Sequence, residues 1–356
     1  MIKAYILTLS NVVRETPDAV TLQFEQPSFG RIWYYPGQFL TIRLKVEGKY
    51  YFRSYSISSV PQLDSFVGIT IKRVLGGKVS NFIIDHLKPG QQIEVLNPRG
   101  KFFLEPGLKK QRNIVFFAGG SGISPIMSIL RAILFQEPLS KITLIFANRR
   151  ESDIIFKDKL SELAGKFPDR LQISHFLSQP ELTTRIPHHK GRLNSQAVEA
   201  ILLERNVLEN AQFFLCGPDS MMEMVRNTLS GLDIENSDIF QEEFTRDVKE
   251  ENSLNKKLGP AQKVEIELGQ ETYHVMVPPG VTVLDAALSQ DLAIPYSCRR
   301  GTCATCMGKL ISGKVDTVDE SSLLEFEKEQ GFVLVCQAHP VAKNTRIRMG
   351  YHYENE

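Results

Sequence analysis

The sequence has few cysteines, a single tryptophan and almost no net charge. Among 356 residues there are five cysteines and one tryptophan, and 42 lysines and arginines nearly balance 41 aspartates and glutamates, which leaves a formal net charge of +1. This balance lacks the excess of positive charge with which proteins attract nucleic acids, so no nucleic-acid partner is expected. Hydrophobic residues make up 42% of the chain and charged residues 23%. That composition is typical of a globular protein and excludes a disordered or fibrous one.

Long uninterrupted apolar segments are also lacking. The most apolar stretch, residues 114–130, contains glycine, serine and proline between Gly119 and Pro125, which favours a strand, a turn and a helix over a membrane span. The segment MIKAYILTLSNVVRE has no small-residue cleavage site and does not resemble a signal peptide. We therefore expect no membrane partner and a cytoplasmic location.

The length predicts two or three domains, and the pattern of the sequence changes twice along it. In the first 104 residues, short β-rich pieces such as 20–25, 39–46 and 66–74 alternate with glycine and proline turn signals, which predicts an antiparallel β-barrel. From Gln111 onward, apolar runs alternate with amphipathic helical patterns, which predicts an α/β doubly wound parallel sheet. The predicted helices of this part cover residues 125–135, 155–166, 194–203 and 220–232.

A polar, charge-rich stretch at residues 245–262 lacks apolar periodicity and is interpreted as a linker. After it come two strand patterns, at 263–268 and 272–277, a helix pattern at 283–290 and then a cysteine-rich loop. The predicted domains therefore cover residues 1–105, 106–244 and 263–356.

Four of the five cysteines lie in the last 60 residues. Cys298, Cys303 and Cys306 have the spacing C-x4-C-x2-C, and Cys336 follows after 29 intervening residues. This is the spacing with which plant-type ferredoxins hold a 2Fe-2S cluster, because a tight loop supplies three thiolates and a remote cysteine supplies the fourth. The alternatives are a zinc site and a group of buried thiols. Zinc sites usually present two C-x2-C pairs, whereas this region has one.

Two segments of the first domain have the composition of a flavin site. In RSYSISS, Arg53 can pair with a phosphate, Tyr55 can pack on an aromatic ring and Ser56 can hydrogen-bond to a flavin nitrogen. In IKRVLGGKVSNF, glycine N–H groups and a serine at a helix start suit a pyrophosphate. Taken alone, RSYS is equally compatible with an ordinary edge strand. The candidate flavin-site residues are Arg53, Ser54, Tyr55, Ser56, Lys72, Val74, Gly77, Lys78, Val79 and Ser80.

Three further segments suit a dinucleotide. The glycine-rich turn FAGGSGISP follows an apolar strand and precedes a helix, where N–H groups favour a phosphate, although such turns also need glycine for structural reasons. CGP follows another strand, where the alternative for its cysteine is a buried thiol. ANRR ends a third strand and offers arginines to a 2′-phosphate, which favours NADPH over NADH unless they lie in a solvated loop. The candidates are Gly119, Gly120, Ser121, Gly122, Ser124, Arg149, Arg150, Cys216, Gly217 and Pro218.

These motifs together resemble known proteins. The segments YSCRRGTCATCMGKLISG and VLVCQAHP resemble plant-type ferredoxin domains fused to reductases, and RSYSISS resembles the flavin barrel of the ferredoxin-NADP reductase superfamily. The resemblance implies FAD rather than FMN in domain 1–105, NAD(P)H in domain 106–244 and a 2Fe-2S cluster on a β-grasp fold in domain 263–356. It also implies that Cys216 lies against the nicotinamide and that Phe244, in QEEF, covers the flavin, whereas the alternative for Phe244 is a core residue of the last strand. The expected catalytic residues are Ser56, Cys216 and Phe244.

The order of the three domains is similar to that of reductase components of bacterial oxygenases, and the quoted segments most resemble reductase subunits of the phenylacetyl-CoA epoxidase type. The resemblance implies that electrons pass from NAD(P)H through FAD and the cluster to an oxygenase partner. Reductases for ring-hydroxylating or steroid oxygenases, or for hybrid-cluster protein, are the alternatives, as is a flavin-free iron–sulfur binding or sensing module. A charged surface is expected after the cysteine loop, formed by Asp316, Asp319, Glu320, Glu325 and Glu327, either simply solvated or docking a basic partner.

Overall fold

The computed structural model describes residues 2–27, 30–244, 260–292 and 294–353. Most of the predicted linker therefore lies outside the described residues. The described part contains an antiparallel sheet, a parallel sheet and a smaller mixed sheet in chain order. The predicted fold class is confirmed. Within the described residues, no helix is both long enough and apolar enough to cross a membrane.

The first sheet is a strongly curved antiparallel sheet whose strands follow the order β4-β3-β6-β1-β2-β5. Alternating apolar residues of these strands, with the helix α1, enclose one core that includes Leu22, Ile42 and Ile69. The elements are β1 (Ile2–Thr16), β2 (Ala19–Glu25), β3 (Phe39–Val46), β4 (Lys49–Ser56), β5 (Phe66–Lys72), α1 (Lys78–His86) and β6 (Gln92–Arg99).

The second sheet is parallel, with the strand order β10-β9-β8-β7-β11-β12. The chain builds outward from β7 in one direction and then returns to add β11 and β12 on the other side, so the order reverses between β7 and β11. The elements are β7 (Asn113–Gly119), α2 (Ile123–Gln136), β8 (Lys141–Asn148), α3 (Lys157–Lys166), β9 (Leu171–Leu177), β10 (His189–Lys190), α4 (Ser195–Glu204), β11 (Ala211–Cys216), α5 (Asp219–Gly231) and β12 (Ile239–Glu242).

The third unit is a five-stranded mixed sheet, of order β14-β13-β19-β15-β17, packed against a short helix. A two-stranded ribbon, β16 with β18, lies beside it, and β20 pairs in parallel with β1 of the first sheet. The elements are β13 (Gln262–Leu268), β14 (Glu271–Val277), α6 (Val283–Ser289), β15 (Met307–Ser312), β16 (Val315–Thr317), α7 (Glu325–Glu329), β17 (Phe332–Leu334), β18 (Ala338–Pro340), β19 (Thr345–Met349) and β20 (Tyr351–Tyr353).

The third unit packs directly on the first. Ala4, Phe52 and Leu96 of the curved sheet belong to the same buried cluster as the core of the mixed sheet. Arg99 and Glu327 form an ion pair across this boundary, with 2.6 Å between Nη2 and Oε1 and side chains only 16% and 5% exposed. The packing brings the cysteine loop to the strand that carries the RSYSISS segment.

Candidate functional site

The reversal of strand order between β7 and β11 creates the crevice in which doubly wound sheets bind ligands. Two turns meet there, the glycine turn after β7 and the Cys-Gly-Pro turn after β11. A Cβ atom added at Gly122 would lie 2.0 Å from the carbonyl oxygen of Cys216, and one added at Gly119 would lie 2.4 Å from Cδ of Pro218. These glycines are therefore needed for the two turns to touch, and they leave α2 pointing its N-terminus at the crevice.

The remaining residues predicted around this turn differ in their surroundings. Gly120 adopts φ 51, a left-handed conformation suited to glycine. Gly217 is closely confined, since a Cβ atom there would lie 2.9 Å from Gly119 Cα. Ser124 is buried in the first turn of α2, and its hydroxyl has no hydrogen-bond partner among the described residues. Ser121 lies in the short 3-10 segment that precedes α2 and is half-buried.

Ser56 of the curved sheet meets the parallel sheet at the same crevice. Its hydroxyl donates a hydrogen bond to Oε2 of Glu242 at 2.9 Å. The parallel register places Glu242 of β12 beside Cys216 of β11. Loss of hydration raises the pKa of Glu242 to about 8, and burial together with the Glu242 charge raises the pKa of the Cys216 thiol. Both shifts favour the protonated, uncharged form of the group.

Glu242 is a site residue that the sequence analysis missed. From the QEEF segment only the aromatic residue, Phe244, was predicted to belong to the site. Phe244 is 38% exposed and lies just beyond the end of β12. The usable signal was the position of a carboxylate at the end of a predicted strand, on the edge where Cys216 also lies. Its partner Ser56 is 186 residues away, so the contact itself could not be found from spacing.

The raised pKa of Glu242 predicts a pH-dependent stability. A glutamate has an ordinary pKa of 4.5, so between pH 4.5 and about 8 the folded chain holds a proton that the unfolded chain releases. The contribution of Glu242 to the free energy of unfolding is therefore largest at low pH and falls as the pH rises through this window. Thermal melting from pH 5 to pH 9 is expected to show a shallower decline in Glu242→Gln than in the wild type, and parallel declines would contradict the assignment.

The flavin candidates on β4 lie between the two neighbouring units. Arg53 donates from Nη1 to the Phe52 carbonyl at 2.7 Å and lies over the Tyr51 ring, and no carboxylate among the described residues pairs with it. Ser54 exchanges a hydrogen bond with Thr41. Tyr55 is half-buried, and loss of hydration raises the pKa of its hydroxyl. A cation without a carboxylate partner beside an aromatic ring fits a flavin phosphate and ring.

The second flavin segment forms a tight loop that leads into α1. The Ser80 hydroxyl accepts the Val74 N–H at 3.1 Å, and Gly77 is the N-cap, where a Cβ atom would lie 2.7 Å from that hydroxyl. Val79 is buried in the barrel core, and Lys78 pairs with a surface glutamate, Glu47. The backbone N–H groups of the first turn, rather than these two side chains, therefore suit a pyrophosphate.

Lys72 and Val74 border this loop. The Lys72 ammonium lies 3.5 Å from the point that a Cβ atom would take at Gly120, so this lysine of the first sheet reaches the glycine turn of the second. Val74 is exposed beside Leu75. The loop thus combines exposed apolar side chains with a cation that lies close to the glycine turn.

The ANRR segment lies at the carboxyl end of β8. Arg149 and Arg150 are both exposed, and Arg150 makes a weak contact with Glu181 at 3.7 Å. Asn148 is buried, and neither its amide nitrogen nor its amide oxygen has a partner among the described residues. This edge therefore offers two cations and an unpaired amide to a ligand.

The four cluster cysteines converge as two pairs. Cys298 contacts Cys303, whose thiol lowers the pKa of Cys298 to about 5, and Cys306 contacts Cys336 and lowers its pKa in the same way. Two pairs of thiols match the two iron atoms of a 2Fe-2S cluster, because each iron would bind one pair.

The backbone around the cysteines also fits a 2Fe-2S cluster. The Cys298 N–H points at Cys303 Sγ and the Arg300 N–H at Cys298 Sγ, each at 3.4 Å, and N–H bonds to sulfur tune such clusters. Gly301 has φ 78, and a Cβ atom there would lie 2.9 Å from the Asp319 carbonyl oxygen. The loop can therefore fold tightly only with glycine at this position.

The charged surface after the loop is smaller than expected. Glu327 is buried against Arg99, which together with the Leu324 N–H holds its pKa low, so including it in the exposed surface was wrong. Glu325 and Asp316 are exposed, and Glu325 pairs with Lys328. Asp319 and Glu320 are half-buried.

Three family models match the chain in the observed order. The oxidoreductase FAD-binding domain matches residues 7–104, the oxidoreductase NAD-binding domain matches residues 116–227 and the 2Fe-2S iron-sulfur cluster binding domain matches residues 266–341. FAD, a nicotinamide dinucleotide and a 2Fe-2S cluster are thereby the cofactors of this chain, as predicted. The flavin-free module is excluded, because flavin and nucleotide domains precede the cluster domain.

Full-length relatives have the same organisation. A component of the 1,2-phenylacetyl-CoA epoxidase of Escherichia coli is 33% identical over 96% of both chains. The ferredoxin reductase component of the 3-ketosteroid-9-alpha-monooxygenase of Rhodococcus rhodochrous is 32% identical over 97% of both. The structure of phthalate dioxygenase reductase covers 97% of both chains with a TM-score of 0.58 and 22% identity, and so shares the fold. The chain belongs to the family of flavin and 2Fe-2S oxidoreductases that act as NAD(P)H-dependent electron-transfer reductases of oxygenase systems.

Proposed function

We propose that this reductase takes a hydride from NADPH and passes single electrons to the oxygenase component of a phenylacetyl-CoA epoxidase-type complex. When bound, FAD accepts two electrons at once and releases them one at a time, which matches a hydride donor to a one-electron cluster. The observation that carries the proposal is the meeting of three units at one place. Ser56 of the FAD-binding domain contacts Glu242 of the nucleotide domain, while its neighbour Ser54 contacts Ser297 beside the first cluster cysteine.

In this proposal, each candidate residue has a distinct role in binding the cofactors. Arg53 neutralises a flavin phosphate and Tyr55 packs on the ring, while the first turn of α1 binds the pyrophosphate. Ser56 would hydrogen-bond the flavin, and Cys216 would pack against the nicotinamide. Phe244 covers the flavin until the nucleotide enters and excludes water from it.

Nucleotide selection is assigned to the exposed arginines after β8. Arg149→Ala is expected to lower kcat/KM for NADPH by about 10- to 100-fold, because a charge-assisted hydrogen bond contributes about 1.5–3 kcal/mol, while kcat/KM for NADH stays nearly constant. Steady-state reduction of an artificial acceptor with each nucleotide measures both values. Equal losses with both nucleotides would mean that the arginine does not recognise the 2′-phosphate.

The choice of partner rests on similarity along the whole chain. The relative from the epoxidase system is 33% identical and the relative from the steroid monooxygenase system is 32% identical, each over nearly the full length. A reductase of a steroid-oxidising system is therefore the second candidate. The cytoplasmic location stays a prediction.

Reconstitution separates the two candidates. The purified reductase would be mixed with the oxygenase subunits of each system, and NADPH consumption would be compared with the amount of oxygenated product. We expect coupled turnover with phenylacetyl-CoA and its oxygenase, and NADPH oxidation without product in the steroid system. Coupled turnover only with the steroid oxygenase would reverse the assignment, and coupling with neither would contradict both.

A further inference from the structure

An ion pair joins the cluster loop to the end of the nucleotide-binding sheet. Arg300 Nη2 lies 2.8 Å from Glu243 Oε2, with side chains 35% and 27% exposed. The other carboxylate oxygen of Glu243 accepts a hydrogen bond from Gln241 Nε2 at 3.2 Å. Both oxygens of Glu243 are therefore engaged, which fixes the direction in which the carboxylate holds the guanidinium.

The two partners stand next to functional groups on opposite sides of the contact. The Arg300 N–H points at Cys298 Sγ at 3.4 Å, so the arginine's own backbone borders a cluster thiolate. Glu243 lies between Glu242, which is bonded to Ser56, and the proposed lid Phe244. The pair thus connects the backbone that holds the cluster with the segment that lines the flavin site.

A second contact fixes the loop on the other side of the same cysteine. Ser297 Oγ accepts the Ser54 N–H at 3.2 Å, and Ser54 belongs to the flavin motif. Ser297 and Arg300 therefore bracket Cys298, which is half-buried, whereas the other three cluster cysteines are buried. Both contacts therefore hold the loop next to Cys298.

We propose that Arg300 and Glu243 are positioning residues for electron transfer from the flavin to the cluster. Each transfer moves one electron from the reduced flavin to the oxidised cluster and makes or breaks no covalent bond. Its rate depends on how closely and how rigidly the cluster loop is held. Hydride transfer from NADPH precedes this step and takes place at the nucleotide crevice, so it does not require the ion pair.

Rapid kinetics on the complete holoprotein resolve the two steps. Under anaerobic conditions with NADPH as reductant, flavin bleaching and cluster reduction are followed in the wild type, Arg300→Gln, Glu243→Gln and the double variant. Cluster reduction is expected to slow severalfold in each single variant while flavin bleaching stays nearly unchanged, because electron transfer slows as the distance between flavin and cluster grows, whereas hydride transfer does not involve the loop. The double variant should be no slower than the single variants, since both remove one contact.

Arg299→Gln is the matched control. Arg299 is the neighbouring arginine of the same loop, but it lies over the Tyr296 ring and is 4.0 Å from Asp285, away from the flavin motif. This variant should reduce its cluster at the wild-type rate. Amide hydrogen exchange in residues 297–305 provides a readout other than electron transfer, and it should become faster in Arg300→Gln and Glu243→Gln but not in Arg299→Gln.

The iron content of the purified variants decides which of them is used for the test. If Arg300→Gln loses iron, Glu243→Gln carries the test alone, because it leaves the cysteine loop unaltered. Half-exposed ion pairs contribute little to global stability, so unfolding should not obscure the result. Unchanged cluster reduction in Glu243→Gln, equal slowing of both steps, or equal effects in the Arg299→Gln control would overturn the proposal.

Discussion

Replacing Cys303 by serine is expected to abolish electron delivery while leaving the flavin reducible. Cys303 is buried and pairs with Cys298, so its loss removes one of four thiolates from the centre. Loss of groups that merely support metal ligands already costs about 10- to 100-fold, so acceptor reduction should fall by more than about a hundredfold. Iron content and the cluster's electron paramagnetic resonance signal should fall with it, while NADPH still bleaches the flavin.

The fifth cysteine provides the control for this result. Cys216 lies at the end of β11 in the parallel sheet rather than in the cysteine loop, so Cys216→Ser should keep its iron and its resonance signal. Because metal binding contributes to folding, the thermal midpoint of Cys303→Ser must be compared with that of the cluster-free wild type. A Cys303→Ser protein that retains full iron and full acceptor reduction would contradict the assignment of the cluster ligands.

Replacing Ser56 by alanine is expected to slow hydride transfer by about 10²- to 10³-fold, the usual cost of removing one well-placed hydrogen-bond donor from a reacting centre. The serine is 3% exposed, and its single O–H, which donates to Glu242 here, would turn to the flavin when FAD is bound. Stopped-flow bleaching of the flavin by NADPH under anaerobic conditions measures the rate directly.

Ser56→Thr is the matched variant, because it keeps the hydroxyl and should retain most of the rate. Reduction of the cluster by dithionite should be unaffected in both variants, since that reaction bypasses the nucleotide. If Ser56→Ala bleaches as fast as the wild type at saturating NADPH, the serine takes no part in the hydride step.

Local sequence patterns predicted the positions of most of the named strands and helices. The strand predicted at residues 39–46 has those same bounds in the structure, because it ends where the chain turns at Gly48. The helix predicted from residue 155 begins instead at Lys157, since Phe156 adopts a left-handed conformation with φ 61 and acts as the N-cap. A phenylalanine in that conformation is not signalled by periodicity.

The site was predictable where one segment carries the chemistry and unpredictable where two distant segments meet. The cysteine spacing predicted the 2Fe-2S cluster, which the matching cluster-binding domain confirms, because three of the four candidate ligands lie in one short segment. The role of Glu242 depends on Ser56, and the burial of Glu327 depends on Arg99, 228 residues away. Charge alone predicted Glu327 at the surface, whereas tertiary packing placed it in an interface between domains. The contact between Arg300 and Glu243 arises in the same way.

The most direct test of the electron path is the visible spectrum of the anaerobically purified protein before and after addition of NADPH. The account predicts overlapping flavin and 2Fe-2S absorbance that bleaches in two phases, the flavin first and the cluster second. A cluster spectrum that neither NADPH nor NADH changes in a protein saturated with FAD would contradict the central claim.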